Sequence, residues 1–345
     1  MYKGRGAVTN KSGRFNDTQV EIEDEFLATR PDTVFFRETA KSIVTRNQSP
    51  DIPFDFSINP YRGCEHGCIY CFARPNHAYV DLSPGLDFET RIFYKENSAE
   101  RLEQLFNKRN YRPSPITLGT ATDPYQPVEA TRKITRSLLE VMVRYRHPFS
   151  LITKSALVLR DQDLLMEAAE LGLVKVMVSV TTLDNQLKTR LEPRTASGAA
   201  RIKAIRCLTE VGVPVGLLMA PLIPWINDHE VEEIIRLSAE AGAESANYIL
   251  LRLPLEVAPL FQEWLAVHFP DRANRVLNAI RDSRGGKLYD SRFGERMRGQ
   301  GPFAELFSKR FRSACVRAGI DYAGRRVLVS DQFSLPNKNS QLGLF

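Results

Sequence analysis

Cysteine is scarce in this chain, with five in 345 residues. So few thiols cannot make a disulfide framework, and a reducing, cytoplasmic setting is expected instead. No stretch approaches the roughly 18 apolar residues of a membrane span, so no membrane partner is expected. The opening residues, Met1-Tyr2-Lys3-Gly4-Arg5-Gly6, hold no apolar run, so no secretory signal is expected. No internal repeat at solenoid periods is visible. What is present is ordinary for a globular protein: 43% hydrophobic and 26% charged residues. The length suits about two domains, or one large α/β barrel with an appendage.

The net charge of +6 is uneven. Between Asp271 and Arg326 there are fourteen Lys/Arg against six Asp/Glu, whereas the remainder carries 33 basic and 35 acidic residues. A localised positive excess points to a polyanionic partner, and nucleic acid is the expected one. The same part interleaves bases with aromatics: Lys287, Tyr289, Arg292, Phe293, Arg296 and Arg298, then Phe303, Phe307, Lys309, Arg310, Phe311 and Arg312. Cations can meet phosphates and aromatic faces can stack on exposed bases. The competing interpretation is that Phe303, Phe307 and Phe311, at helical spacing, form a core stripe with solvated arginines opposite.

Residues 1–50 are polar and weakly periodic, which predicts an irregular N-terminal extension. Ile52, Phe54, Phe56 and Ile58 then alternate with polar residues or proline, which predicts a half-buried strand. Further strands are expected at Ile116–Gly119, Phe149–Thr153, Val174–Val180, Val213–Met219 and Ala246–Leu251. Between them, helices are expected at Ser98–Lys108, Thr131–Tyr145, Asp161–Leu171, Ala199–Val211 and Glu230–Ala241. Strands alternating with helices imply a parallel sheet with right-handed crossovers. This α/β core occupies residues 51–254. Residues 255–345 form a basic, mainly helical region, with helices at Pro259–Phe269, Arg272–Asp282 and Phe303–Ala318 and a short strand at Val327–Val329.

Three of the cysteines fall in Cys64-Glu65-His66-Gly67-Cys68-Ile69-Tyr70-Cys71. Thiolates are soft, strong ligands for iron and zinc, and three are one short of the usual four. His66 or His77 could complete a Cys3His zinc site, giving a zinc-stabilised nucleic-acid-binding module without catalysis. Cys315 is a remote candidate for a fourth ligand. Cys207 and Cys315 otherwise read as small buried hydrophobes.

The CxxxCxxC spacing resembles the cluster loop of the radical S-adenosylmethionine (SAM) superfamily. An aromatic residue usually precedes the third cysteine there, and here Tyr70 does. The run Asn59-Pro60-Tyr61-Arg62-Gly63-Cys64, continuing through Cys71-Phe72-Ala73-Arg74-Pro75, looks like the branch of the spore photoproduct lyases and their DNA-repair-photolyase-like relatives. The resemblance implies an open (β/α)6 partial barrel. It implies a [4Fe-4S] cluster on Cys64, Cys68 and Cys71, with SAM on the fourth iron. It also implies an electron donor such as flavodoxin or ferredoxin.

In parallel βα folds, ligands bind beyond the C-terminal strand ends. That rule selects Thr120, Thr122, Asp123 and Tyr125 after the second strand, and Lys154 after the third. It selects Ser179 on the fourth strand and Pro221 on the fifth. By resemblance, Thr120–Asp123 matches the region that binds the SAM amino group, Lys154 and Ser179 match contacts to its carboxylate and ribose, and the stretch with Pro221 lies along adenine. Glu192 is either a SAM- or substrate-orienting group or a turn carboxylate. Asp123 and Tyr125 are the candidates for substrate-side chemistry. One departure stands out. Spore photoproduct lyases use a cysteine near the second strand end as hydrogen donor, and Ile116–Gln126 contains none. The expectation is therefore a radical SAM enzyme acting on nucleic acid, with a small-molecule or protein substrate as the alternative.

Overall fold

The computed structural model describes residues 4–15, 32–324 and 327–336. Parts of the expected N-terminal extension, and the bases Arg325 and Arg326, lie outside the described residues. Among those described, the strands are β1 (Val34–Glu38), β2 (Val44–Arg46), β3 (Phe56–Ile58), β4 (Tyr61–Arg62), β5 (Arg91–Lys95), β6 (Ile116–Leu118), β7 (Phe149–Thr153), β8 (Val174–Ser179), β9 (Val215–Leu222), β10 (Ser245–Leu250) and β11 (Asp321–Tyr322).

Eight strands form one sheet in the order β11-β10-β9-β8-β7-β6-β3-β2. All neighbours from β3 to β11 are parallel, and β2 closes one edge antiparallel to β3. Successive strands lie side by side with helices between them, which is the expected open (β/α)6 arrangement with a short strand added at each edge. The sequence dictates this locally. β8 puts Val174, Val176 and Val178 into the core on alternate positions, and β-branched side chains suit a pleated, packed surface. After a short helix, Asn185–Leu191, the crossover helix Gly198–Glu210 starts where the Ser197 hydroxyl accepts a hydrogen bond from the Ala200 amide at 3.2 Å. β1, β5 and β4 make a separate three-stranded sheet beside the cysteine loop.

Two large apolar cores result among the described residues, with two small clusters beside them, one of which holds Cys64 with Ala73 and Phe88. The larger fills the sheet and its helices. A second core gathers Cys68, Ile69 and Tyr70 with Leu191, Ile223, Leu251, Phe261 and Trp264. The C-terminal helix Val257–His268 therefore packs against the cysteine loop and holds it over the strand ends.

Several local expectations are corrected. The third strand starts only at Phe56, because the preceding Ile52–Asp55 stretch contains Pro53, which cannot donate to a ladder. The helix expected over Thr131–Tyr145 is two, Glu129–Arg132 and Ile134–Arg144, parted by Lys133 at a left-handed φ of 53°. Val327–Val329 forms no strand; the Val329 amide donates to the Gly172 carbonyl at 3.1 Å, and the edge strand is Asp321–Tyr322. Among the described residues, no helix is long and apolar enough to cross a membrane.

Candidate cluster and cofactor site

The cysteine loop follows β4 and is built on two glycines with left-handed backbone, Gly63 (φ 79°) and Gly67 (φ 66°). A Cβ on Gly67 would lie 2.6 Å from Glu89 Oε2, so the turn needs glycine for space as well as for φ. Beneath it lies Arg74, fully buried. Its Nε donates to the Cys68 carbonyl at 2.9 Å, and Nη1 donates to the carbonyls of Pro84 and Gly85 at 3.0 and 2.8 Å. Its Nη2 pairs with Glu89 Oε1 at 2.5 Å. The Glu89 carboxylate also accepts from the amides of Gly6 and Ala7, each at 2.9 Å. The described N-terminal residues thus seal the underside of the loop. Arg74 and Glu89 carry no spacing signal that sequence alone could detect, because Glu89 sits fifteen positions from its partner.

Burial pushes the Cys64 thiol up, with Asp123 and Cys68 adding to it. Burial does the same to Cys68, with Glu192 next, and to Cys71. Three adjoining thiols that resist ionisation when alone are suited to a cationic iron group, which inverts that preference. The donor set fits a [4Fe-4S] cluster, which takes each thiolate on a different iron. It fits a single zinc ion poorly, since tetrahedral zinc draws its ligands to about 2.0–2.3 Å from one centre. Among the described residues, no three His, Cys, Asp or Glu converge that way. His66 Nδ1 faces Asp123 Oδ2 at 3.4 Å, and His77 Nε2 lies 2.9 Å from the Arg91 carbonyl. Cys315 is buried in the larger core beside Phe311, apart from the core that holds Cys68.

Opposite the loop, the strand ends bring together several of the expected residues. Lys154 Nζ donates to Ser179 Oγ at 2.6 Å and to the Ala220 carbonyl at 3.0 Å. It lies 6.0 Å from the Tyr70 ring centroid and 3.9 Å from Glu192 Oε1. Glu192 is fully buried, and it accepts from the Tyr70 hydroxyl, from Thr181 Oγ1 at 2.7 Å and from Arg201. Burial opposes its charge, but the Arg201 and Lys154 cations outweigh that and hold its carboxyl down at about 2. Arg201 also donates to the Ser179 carbonyl at 3.0 Å, so one guanidinium ties the Glu192 turn to β8. Arg201, like Arg74, escaped sequence reasoning because it looks like an ordinary helix residue.

The second strand end is organised by Asn59. Its Oδ1 accepts from the amides of Ala121 and Thr122 at 2.8 and 3.3 Å, and its Nδ2 donates to Thr120 Oγ1 at 3.1 Å. Thr122 Oγ1 donates to the Tyr61 carbonyl at 3.1 Å. The Pro221 carbonyl accepts from Asn227 Nδ2 at 3.0 Å.

The two candidates for substrate chemistry are placed differently from expectation. Both Asp123 oxygens are engaged: one takes the Tyr125 amide at 2.9 Å and Thr153 Oγ1 at 2.7 Å, the other the Lys154 amide at 2.7 Å. Burial works against its charge, but His66 and these donors keep its carboxyl below the usual range. Asp123 is a tie between β6 and β7. Tyr125 is fully buried in the larger core, 5.9 Å beneath Arg160, and burial with the nearby Asp161 pushes its phenol up. Neither presents a free group to a substrate.

The basic C-terminal region is also rearranged. Arg296 Nε pairs with Asp51 at 2.7 Å, Arg310 with Glu232 at 2.8 Å, and Arg292 with Asp290 at 2.6 Å. Phe307 and Phe311 are buried, as a core stripe would be.

With this geometry in place, the relatives can be named. The model of the radical SAM superfamily matches residues 58–238, and the chain belongs to that superfamily as a radical SAM enzyme. The family implies a [4Fe-4S] cluster and SAM. An uncharacterized protein of Mycobacterium tuberculosis is 34% identical over 232 residues, 67% of this chain and 68% of that one. One of Methanocaldococcus jannaschii is 28% identical over 223 residues, 65% of this chain and 80% of that one. Among solved structures, spore photoproduct lyase complexed with dinucleoside spore photoproduct aligns with a TM-score of 0.59 at 14% identity, covering 84% of this chain and 82% of that one. That likeness is one of fold.

Proposed function

We propose that Cys64, Cys68 and Cys71 hold a [4Fe-4S] cluster, that SAM binds between them and Lys154, and that the substrate is a nucleic acid. The observation that carries the cofactor assignment is the Lys154 ammonium 6.0 Å from the ring centroid of Tyr70, the residue between Cys68 and Cys71 in the three-thiol loop. Held by Cys64, Cys68 and Cys71, a reduced cluster would supply one-electron reductive cleavage of SAM, and with it hydrogen abstraction from a substrate. The chain's own residues bind and orient. Lys154 offers a charge-assisted donor to the methionine carboxylate. Ser179 fixes Lys154 in place and, by the family resemblance, would lie on the ribose side of SAM. Glu192, already neutralised by Arg201, positions Tyr70 and Lys154 and is not a free base. Thr120 and Thr122, set by Asn59, line the side expected for the amino group.

The nucleic-acid assignment is supported by a fold shared with a lyase that was solved with a dinucleoside photoproduct. With no cysteine in Ile116–Gln126, the hydrogen donor differs, and direct repair of a thymine dimer is not part of the proposal. Reduction by flavodoxin or ferredoxin in a cytoplasmic setting completes it. The test is anaerobic reconstitution followed by assay of iron, sulfide and 5′-deoxyadenosine, with and without DNA or RNA. Sulfide-containing protein whose 5′-deoxyadenosine output rises with nucleic acid is the expected result. Zinc without sulfide would overturn the cofactor assignment, and output indifferent to nucleic acid would overturn the substrate.

A further inference from the structure

Phe72 directly follows the last cysteine of the loop, yet it is 48% exposed. Over it lies Arg252, just past the C-terminal end of β10, with its guanidinium carbon 5.3 Å from the Phe72 ring centroid. On another side the same guanidinium meets Tyr289, 5.9 Å from that ring centroid and with Nη2 3.5 Å from its hydroxyl. Its other polar contact is weak, Nη1 to the Met297 sulfur at 3.3 Å, and Nε has no acceptor. Among the described residues, no carboxylate pairs with Arg252, in contrast to Arg292, Arg296 and Arg310 in the basic segment.

A second cation stands behind it. Arg284 is buried against the carbonyls of Leu250 and Leu251 at 3.1 and 3.0 Å. Burial, with Arg252 beside it, pulls Arg284 down to about 10. Asp290, the acidic group that offsets this, is itself held by Arg292 at 2.6 Å. Arg252 and Arg284 thus stand together at this rim with the Asp290 carboxylate shared with Arg292, beside a half-exposed aromatic ring next to the cysteine loop. Elsewhere on the strand-end face, Trp225 follows β9 at a left-handed φ of 62°, with the Arg275 guanidinium 3.5 Å from its ring centroid.

We infer that Phe72, Arg252 and Tyr289 form the substrate clamp of the enzyme: the Phe72 face stacks an unpaired nucleobase and Arg252 takes an adjoining phosphate. This rests on the nucleic-acid reading of the same site. A single half-exposed ring can stack only on a base freed from its own stack, so single strands are preferred over duplex. An arginine with neutral partners has donors to spare for an anion, whereas an ion-paired one must first lose its carboxylate.

The experiment measures binding of a short mixed-sequence single-stranded oligodeoxynucleotide, and of its duplex, to reconstituted protein. The variants are Arg252→Gln, Arg252→Lys and Phe72→Leu, with Arg310→Gln as a charge control. Phe72 is surface-exposed, so its replacement keeps the test valid if Arg252 proves necessary for folding. The clamp predicts tighter binding of the single strand. It predicts about tenfold or greater weakening in Arg252→Gln and Phe72→Leu, partial recovery in Arg252→Lys, and little change in Arg310→Gln. Wild-type binding that all variants retain would overturn the clamp and leave the nucleic-acid reading standing. Protein that makes 5′-deoxyadenosine but binds neither oligonucleotide, or that binds an acidic peptide instead, would overturn both the clamp and that reading while leaving the SAM chemistry intact.

Discussion

The cysteine loop and the basic C-terminal segment are the two parts of the chain densest in chemistry-bearing side chains, and folding treats them in opposite ways. In the loop, the charged neighbours pair with one another, Arg74 with Glu89 and Arg201 with Glu192, and none of the three thiols is tied up in a disulfide. In the C-terminal segment, Arg292, Arg296 and Arg310 are taken up by carboxylates, and Phe307 and Phe311 enter the core. A short-range pattern of ligands survives folding because its members are bound to one turn. A charge excess does not, because acidic partners such as Asp51 and Glu232 come from distant parts of the chain.

The comparison is sharpened most by removing thiols. Cys64→Ala, Cys68→Ala or Cys71→Ala should each abolish bound iron and sulfide, while Cys207→Ser and Cys315→Ser should leave both unchanged by colorimetric assay. Next comes the brace. Arg74→Ala strands the buried Glu89 carboxylate and should cost about 3–5 kcal/mol in chemical denaturation.

Acid should act on the same region. The folded carboxyl of Glu192 titrates near 2, below its ordinary value of 4.5. A depressed carboxyl contributes stability that is complete above the unfolded value and is lost as pH falls through the folded one. The contribution, about 3 kcal/mol at most, should therefore fade between pH 4.5 and 2, and Glu192→Gln should flatten that limb of the denaturation curve. A smaller effect is expected from Lys154→Ala, which should weaken SAM binding by roughly 1.5–3 kcal/mol in calorimetry and leave iron content intact. The smallest belongs to the other region. Arg310→Gln removes a half-exposed pair with Glu232 and should change stability by about 1 kcal/mol or less. A large loss there would break the contrast.

What was legible in the sequence follows the same division. β7 matched its expected bounds, Phe149–Thr153, and β8 fell short by only one residue, because apolar periodicity over a single strand is local. The cluster loop was legible for the same reason. β5 was missed although Arg91–Lys95 alternates, because it belongs to a separate small sheet outside the βα series. Asn59, Arg74, Glu89 and Arg201 were missed because each acts through a partner set by the fold, as when Arg201 reaches Glu192 across a turn. Tyr125 was misplaced because a strand end that is polar in sequence can still turn one ring back into the core.

The central claim is that the three loop thiols hold a cluster on which SAM binds, with Lys154 anchoring it. It is tested most directly by electron paramagnetic resonance of the anaerobically reconstituted, reduced protein, with and without SAM. The account predicts a reduced-cluster signal that changes on adding SAM, and a Lys154→Ala protein that keeps the signal but needs more SAM to change it. A cluster signal that ignores SAM in the parent protein, or stoichiometric zinc with no signal at all, would contradict it.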